Sequence, residues 1–167
     1  MNVQILITIT GPYQVNLVNV LSEKTHALDG KWLTSKINHI EDYMAGLIKV
    51  ELDLSNVEAL LDGFKDLPIS VNWVELKRLP KEKPNHLNLS IDAKDRPGLV
   101  NDISKILSEY SVKVENMECN RIGLPAIGST VFTSHFQIAV SDAFEKKPLI
   151  TSLQEISNDL VIDIQPV

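Results

Sequence analysis

Val3-Gln4-Ile5-Leu6-Ile7-Thr8-Ile9-Thr10 opens the chain on a strict alternation, with Val3, Ile5, Ile7 and Ile9 on one face. A period of two is the mark of a half-buried β-strand. The pattern returns 82 residues later, where Leu87, Leu89 and Ile91 stand in for Ile5, Ile7 and Ile9. At the same offset, Leu17, Val18, Asn19 and Leu21 line up with Leu99, Val100, Asn101 and Ile103. Each block reads as strand, turn, helix. An internal repeat outranks any local reading, because it sets the architecture. The copies differ at the turn: Tyr13-Gln14-Val15-Asn16 in the first, Asp95-Arg96-Pro97-Gly98 in the second.

Working outward, Gly11-Pro12 is read as breaking the first strand, and a helix is expected from about Val15 to Ala27. Asp29-Gly30 is a turn signal. Lys31 to Glu41 and Met44 to Asp53 read as a hairpin. Ser55 to Glu58 has capping-box spacing. Val57, Leu60, Leu61 and Phe64 then repeat with helical spacing, and Ile69 to Leu79 reads as a fourth strand. In the second copy, His86 to Ala93 is a strand and Gly98 to Tyr110 a helix. Val112 to Arg121 and Thr130 to Val140 form a hairpin joined by the loop Ile122 to Ser129. Pro148 to Asn158 is the second helix, with Pro148 in its first turn, and Leu160 to Ile164 the last strand.

The expected fold is α+β: two tandem ferredoxin-like βαββαβ domains, each an antiparallel sheet with two helices on one face. The domains are placed at 1–79 and 85–167. The linker at 80–84 contains Pro80 and Pro84 around charged residues, and the Lys77, Arg78, Lys81 and Lys83 charges read as solvated.

Composition narrows the function. Hydrophobic content of 44% with 23% charged residues fits an ordinary globular chain. A net charge of −6 argues against direct nucleic-acid binding, which needs a basic field. The single Cys119 rules out an intramolecular disulfide and reads as a small apolar filler. Met1-Asn2-Val3-Gln4-Ile5 lacks a basic region ahead of an apolar core, so it does not read as a signal peptide, and no apolar run is long enough to span a bilayer. The chain is expected to be cytoplasmic, with no membrane partner. His26, His39, His86 and His135 show no metal spacing; no metal site or cofactor is expected. Trp32, Trp73, Phe132 and Phe136 fall on strands, where core or interface packing is expected. Exposed sheet edges suggest a homodimer.

The candidate site is the turn Asp95-Arg96-Pro97-Gly98-Leu99-Val100. First-turn amides of a helix lack internal partners, and with the helix dipole they favour a carboxylate or phosphate. Gly98 has no Cβ, so a ligand can approach the backbone. Pro97 fixes φ and is expected to start the helix. Asp95 is placed to accept from a ligand ammonium, so an α-amino acid offers both matching charges. A purely structural reading also stands: Asp95 caps the helix, and Arg96 is a solvated charge.

The layout, with Asp95-Arg96-Pro97-Gly98 after the strand, resembles an ACT domain. The resemblance implies a regulatory module that pairs and binds an amino acid near this turn. Val112-Lys113-Val114-Glu115-Asn116-Met117 looks like the family's second strand, which gives Asn116 a ligand-holding role; a hydrogen bond within the sheet is the alternative. More narrowly, the chain is similar to the tandem-ACT family of glycine cleavage system transcriptional repressors. Gly30-Lys31-Trp32-Leu33-Thr34-Ser35-Lys36-Ile37 looks like that family's Gly-Asn-Trp-Leu-Glu-Ser-Arg-Met strand. Ala45 to Glu51 and Asn158 to Ile164 also match. Tyr13 to Asn16 depart from the family's Asp-Arg-Pro-Gly, which removes the carboxylate from the first turn while leaving helix-terminal amides.

The resemblance implies a non-catalytic regulator that senses a small amino acid, glycine by this likeness, and acts on a protein partner such as a transcription activator. Two alternatives remain: a ligand-independent interaction module, and an acylphosphatase-like enzyme using Arg96 and Asn101. The second lacks the Gly-rich phosphate loop and rests on fold analogy.

Overall fold

The computed structural model describes residues 1–77 and 84–167. The chain divides into two units, Met1–Pro80 and Lys81–Val167. The expected linker lies, apart from Pro84, outside the described residues, as do Arg78 and Leu79.

The first unit runs β1 (Asn2–Pro12), α1 (Leu17–His26), β2 (Lys31–Ile40), β3 (Tyr43–Asp53), α2 (Val57–Lys65) and β4 (Ser70–Glu75). Its antiparallel sheet has the order β2-β3-β1-β4. The alternation that opens the chain is realised: Val3, Ile5, Ile7 and Ile9 are buried against Leu17 and Leu21 of α1 and Leu60 and Phe64 of α2. Gly11-Pro12 does not break β1. Both residues continue to pair with β3, opposite Met44 and Tyr43, beyond the last β4 partner of β1, so the missing N–H of proline costs no second ladder. A Cβ on Gly11 would stand 2.8 Å from the Pro68 carbonyl oxygen and the Ile69 side chain, so the close approach of this strand to the segment before β4 requires glycine.

The capping box is corrected. A single 3-10 turn, Leu54–Asn56, precedes α2, and Asp53 accepts from the Ser55 amide at 3.0 Å and its hydroxyl at 2.7 Å. Ser55 therefore donates where it was expected to accept. The Asn56 side chain donates to the Leu28 carbonyl at 3.1 Å, tying the start of α2 to the turn after α1.

The second unit repeats the order as β5 (Asn85–Lys94), α3 (Leu99–Glu109), β6 (Lys113–Leu124), β7 (Ser129–Val140), α4 (Lys146–Gln154) and β8 (Val161–Pro166). Its sheet order is β6-β7-β5-β8. Leu89, Ile91, Leu99, Ile103, Phe132, Ile138, Leu149 and Leu153 form its core. Thus the fold is α+β, a ferredoxin-like βαββαβ pattern written twice. Phe132 and Phe136 are buried, whereas Trp73 is 44% exposed on edge strand β4.

Other boundaries also differ from expectation: α1 starts at Leu17 rather than Val15, and β4 ends at Glu75. Half of the Ile122–Ser129 loop is strand, because β6 pairs with β7 as far as Leu124 opposite Ser129; a short 3-10 turn closes it. Helix α4 starts two residues before Pro148 and ends at Gln154, four short of Asn158.

Candidate functional site

The turn between β5 and α3 is held from both sides. The Lys94 amide donates to the Asp159 carboxylate at 2.8 Å, and the Asp95 amide donates to the Thr130 carbonyl at 2.9 Å. The chain then passes through exposed Pro97 and Gly98. Gly98 has φ +86°, in the left-handed region that side-chain-bearing residues resist. This conformation ends the approach to the helix, so α3 begins at Leu99 and not at Pro97. Pro97 therefore does not start the helix as expected. The Leu99 side chain belongs to the core and the residue is fully buried, so in the first turn the surface is reached at half-buried Val100 and exposed Asn101.

The Asp102 amide donates to the Gly98 carbonyl at 2.9 Å. Among the described residues, no backbone carbonyl accepts from Leu99, Val100 or Asn101. These three first-turn donors sit beside a glycine whose hypothetical Cβ would meet nothing closer than the Arg96 guanidinium at 3.8 Å. Open donors at a helix N-terminus favour a negative group.

Two ion pairs flank the donors. Asp95 does not cap α3; its carboxylate accepts from Arg121 Nε at 3.0 Å. The Arg121 guanidinium also lies over the Phe132 ring, 5.8 Å from its centroid. Arg96 is not a free solvated charge. It donates to Asp102 at 2.7 Å and to the Pro97 carbonyl at 3.1 Å. This Arg96 hydrogen bond, more than any other influence, holds the Asp102 carboxyl below its usual range. Both pairs are partly solvated, and solvent-screened pairs of this kind add little to stability, so a ligand's charges can replace them at small cost.

Asp102 and Arg121 are the residues that sequence reasoning missed. An acid in the first helical turn, within reach of the turn's arginine, was the available signal for Asp102. Arg121 had none, because its link to Asp95 is set by the β6–β7 register. Asn116 is not brought to the turn within this unit. It pairs with Gln137, next to the bulge at Glu115, while Arg121 pairs with Phe132. Five residues of strand separate Asn116 from Arg121, roughly 17 Å. Among the described residues no hydrogen bond joins its side chain to the sheet.

The matching turn of the first unit is built differently. Asn16 has φ −100°, accessible to any residue, so no glycine is required there. The Leu17 amide is already spent on the Gln14 carbonyl at 3.2 Å. The Tyr13 amide donates to the Asp42 carbonyl at 2.7 Å, and its ring lies 5.5 Å from His39. Carboxylate, guanidinium and one of the open amides are all missing from this copy.

Elsewhere, a hollow of about 550 Å³ lined by His86, Val140, Phe144 and Lys146 lies at the other end of β5 from the turn. Among the described residues, no three His, Cys, Asp or Glu side chains gather to hold a metal, and no helix is long and apolar enough to cross a membrane.

Residues 88–144, which contain the turn, both ion pairs and Asn116, match the family model of the ACT domain. The whole chain superposes on the crystal structure of an unknown protein from Galdieria sulphuraria. The TM-score is 0.88 at 15% identity, covering 100% of this chain and 99% of that one. It also superposes on the crystal structure of a "putative glycine cleavage system transcriptional repressor", with a TM-score of 0.74 at 10% identity and the same coverage. The chain has a tandem ACT fold. At these identities the likeness concerns fold. No curated protein matches the sequence. Within the tandem ACT fold, the family model covers the second unit's intact Asp-Arg-Pro-Gly turn and not the first unit's altered one.

Proposed function

We propose that this chain is a non-catalytic regulatory protein that binds a small amino acid at the second unit's turn and passes the binding state to a transcription-regulator partner. Asp95, Arg96, Pro97, Gly98, Leu99 and Val100 form the proposed site. The observation that carries the reading is the pair of amides at Val100 and Asn101, with no carbonyl partner, beside exposed Gly98. The ligand carboxylate takes these donors and Arg96, while its ammonium takes Asp95 in exchange for Arg121. Glycine is the proposed ligand, on the likeness to the tandem ACT repressor fold. Binding acts by population shift, which requires the partner to prefer one ligation state. The chain is further proposed to act as a homodimer.

Calorimetric titration of the full chain with glycine, serine and larger amino acids tests this. Saturable heat with a small amino acid, lost in Arg96→Ala, is expected. Absence of heat with every amino acid returns the chain to a ligand-independent interaction module, a reading that the two ion pairs already closed across the turn also favour.

A further inference from the structure

We infer that the open edge of β4 and the groove beside it take an extended apolar segment of another protein, bearing a lysine or arginine, as a fifth strand of the first unit's sheet. The inference does not rest on amino-acid binding at the turn before α3. Strand β4 pairs with β1 alone, so among the described residues its other margin is unpaired. Register says which groups lie on that margin. The Leu76 amide donates to the Gln4 carbonyl at 2.7 Å, and an antiparallel ladder bonds at alternate pairs. Ser70, Asn72 and Val74 therefore turn their backbone groups toward β1. Val71, Trp73 and Glu75 turn theirs away from it, N–H and C=O alike. Such a row is a template for one more strand.

Beside this margin, between β4 and α2, lies a hollow of about 560 Å³ whose apolar lining includes Val57, Leu61, Val71 and Trp73. Val71 packs on the core, and Trp73, two residues on, shares its side of the sheet. Trp73 is left out of the core and stands in the groove, 44% exposed. An added strand lays every second side chain on this same side, so apolar residues at alternate positions enter the hollow. Three charged side chains of α2 line it as well. Lys65 is bonded to Asp62, and the Glu58 carboxylate has no hydrogen-bond partner among the described residues. Two carboxylates against one ammonium leave the groove negative, in a chain of net charge −6, and this favours a cationic occupant over an acidic one.

The second unit guards the matching margin. There the Val167 amide donates to the His86 carbonyl, which by the same alternation turns Ile162, Ile164 and Pro166 outward on β8. Pro166 has no N–H to offer, and Lys146 Nζ lies 3.5 Å from the Ile164 carbonyl oxygen. Proline and lysine are common means of blunting a strand edge. Strand β4 reads Ser-Val-Asn-Trp-Val-Glu and carries neither. Of two matching edges in a repeated fold, one is blunted and the other is left open beside an apolar groove.

Amide hydrogen exchange of the full chain, followed by NMR, tests the proposal with the peptide acetyl-Thr-Leu-Thr-Leu-Thr-Lys-Thr-amide as probe. Exchange at Val71, Trp73 and Glu75 is expected to slow about tenfold when the peptide stands at about ten times its dissociation constant, with Ile162 and Ile164 unaffected. The same peptide with glutamate in place of lysine is expected to bind more weakly. Trp73→Ala is expected to weaken both peptides. Glu58→Lys, at an exposed position that keeps the fold, is expected to reverse the preference between them. Unchanged exchange at the three edge amides overturns the proposal. So does slowing that appears without peptide as the chain is concentrated, which gives the edge to a second copy. A native chain that binds the glutamate peptide as well as the lysine peptide, or a Glu58→Lys variant that keeps the native preference, overturns the cationic occupant and with it the proposal.

Discussion

Replacing Gly98 with alanine isolates the backbone demand of the candidate turn. The added methyl meets only the Arg96 guanidinium, at 3.8 Å, an ordinary contact, so steric crowding contributes nothing. The cost comes from φ +86°. Holding an L-residue in the left-handed region costs about 1–2 kcal/mol. Loss of glycine's freedom in the unfolded chain returns about 0.4–1 kcal/mol. The net destabilisation is on the order of 1 kcal/mol, which lowers a urea midpoint by roughly 0.5–1 M for ordinary slopes. Both tryptophans, Trp32 and Trp73, lie in the first unit, and each unit has its own core. Tryptophan fluorescence therefore follows the first unit, and far-UV circular dichroism follows both. The expected result is an earlier transition in the dichroism and an unmoved one in the fluorescence. Asparagine tolerates the left-handed region, so Gly98→Asn is expected to lose less than alanine does. An alanine variant with an unchanged midpoint, or an asparagine variant no better than alanine, refutes the argument. Gly98→Val is a poor binding probe, because a β-branched residue at this φ adds backbone strain to any loss of ligand access.

Two further outcomes follow from the charges. Because the folded pKa of Asp102 lies below its unfolded value, the Arg96 pair contributes above the ordinary carboxylate range and is lost as pH falls through the folded value; carboxyl NMR titration of Arg96→Ala should show Asp102 moving up toward that range. Burial pushes the Cys119 thiol up, so its alkylation by iodoacetamide should accelerate at a higher pH than an unfolded cysteine of about 8.5 does.

The fold was legible where burial imposes a period. Val3 to Ile9 and Leu87 to Ile91 alternate because one sheet face is sealed by helices. Boundaries were less legible, because they depend on competition among neighbours. Asp53 is close enough to bond Ser55 before Ser55 can cap anything, and the strand pairing of Ile122–Leu124 is decided by the facing Ser129–Val131. At the site, the glycine was read for access, while its conformation supplies an independent reason. Arg121 was invisible because it meets Asp95 only across the folded sheet, 26 residues away in sequence.

The position of β1 between β3 and β4 shapes how the first unit comes into being on the ribosome. Its alternating residues emerge at the outset, gain one flank when Tyr43–Asp53 appears, and wait until Ser70–Glu75 for the other. Until then a row of isoleucines has an unsatisfied backbone margin beside it, the condition under which nascent chains stick to one another. The second unit repeats the delay, because β5 must await β8. The strand that anchors each core is thus the first to be made and the last to be enclosed.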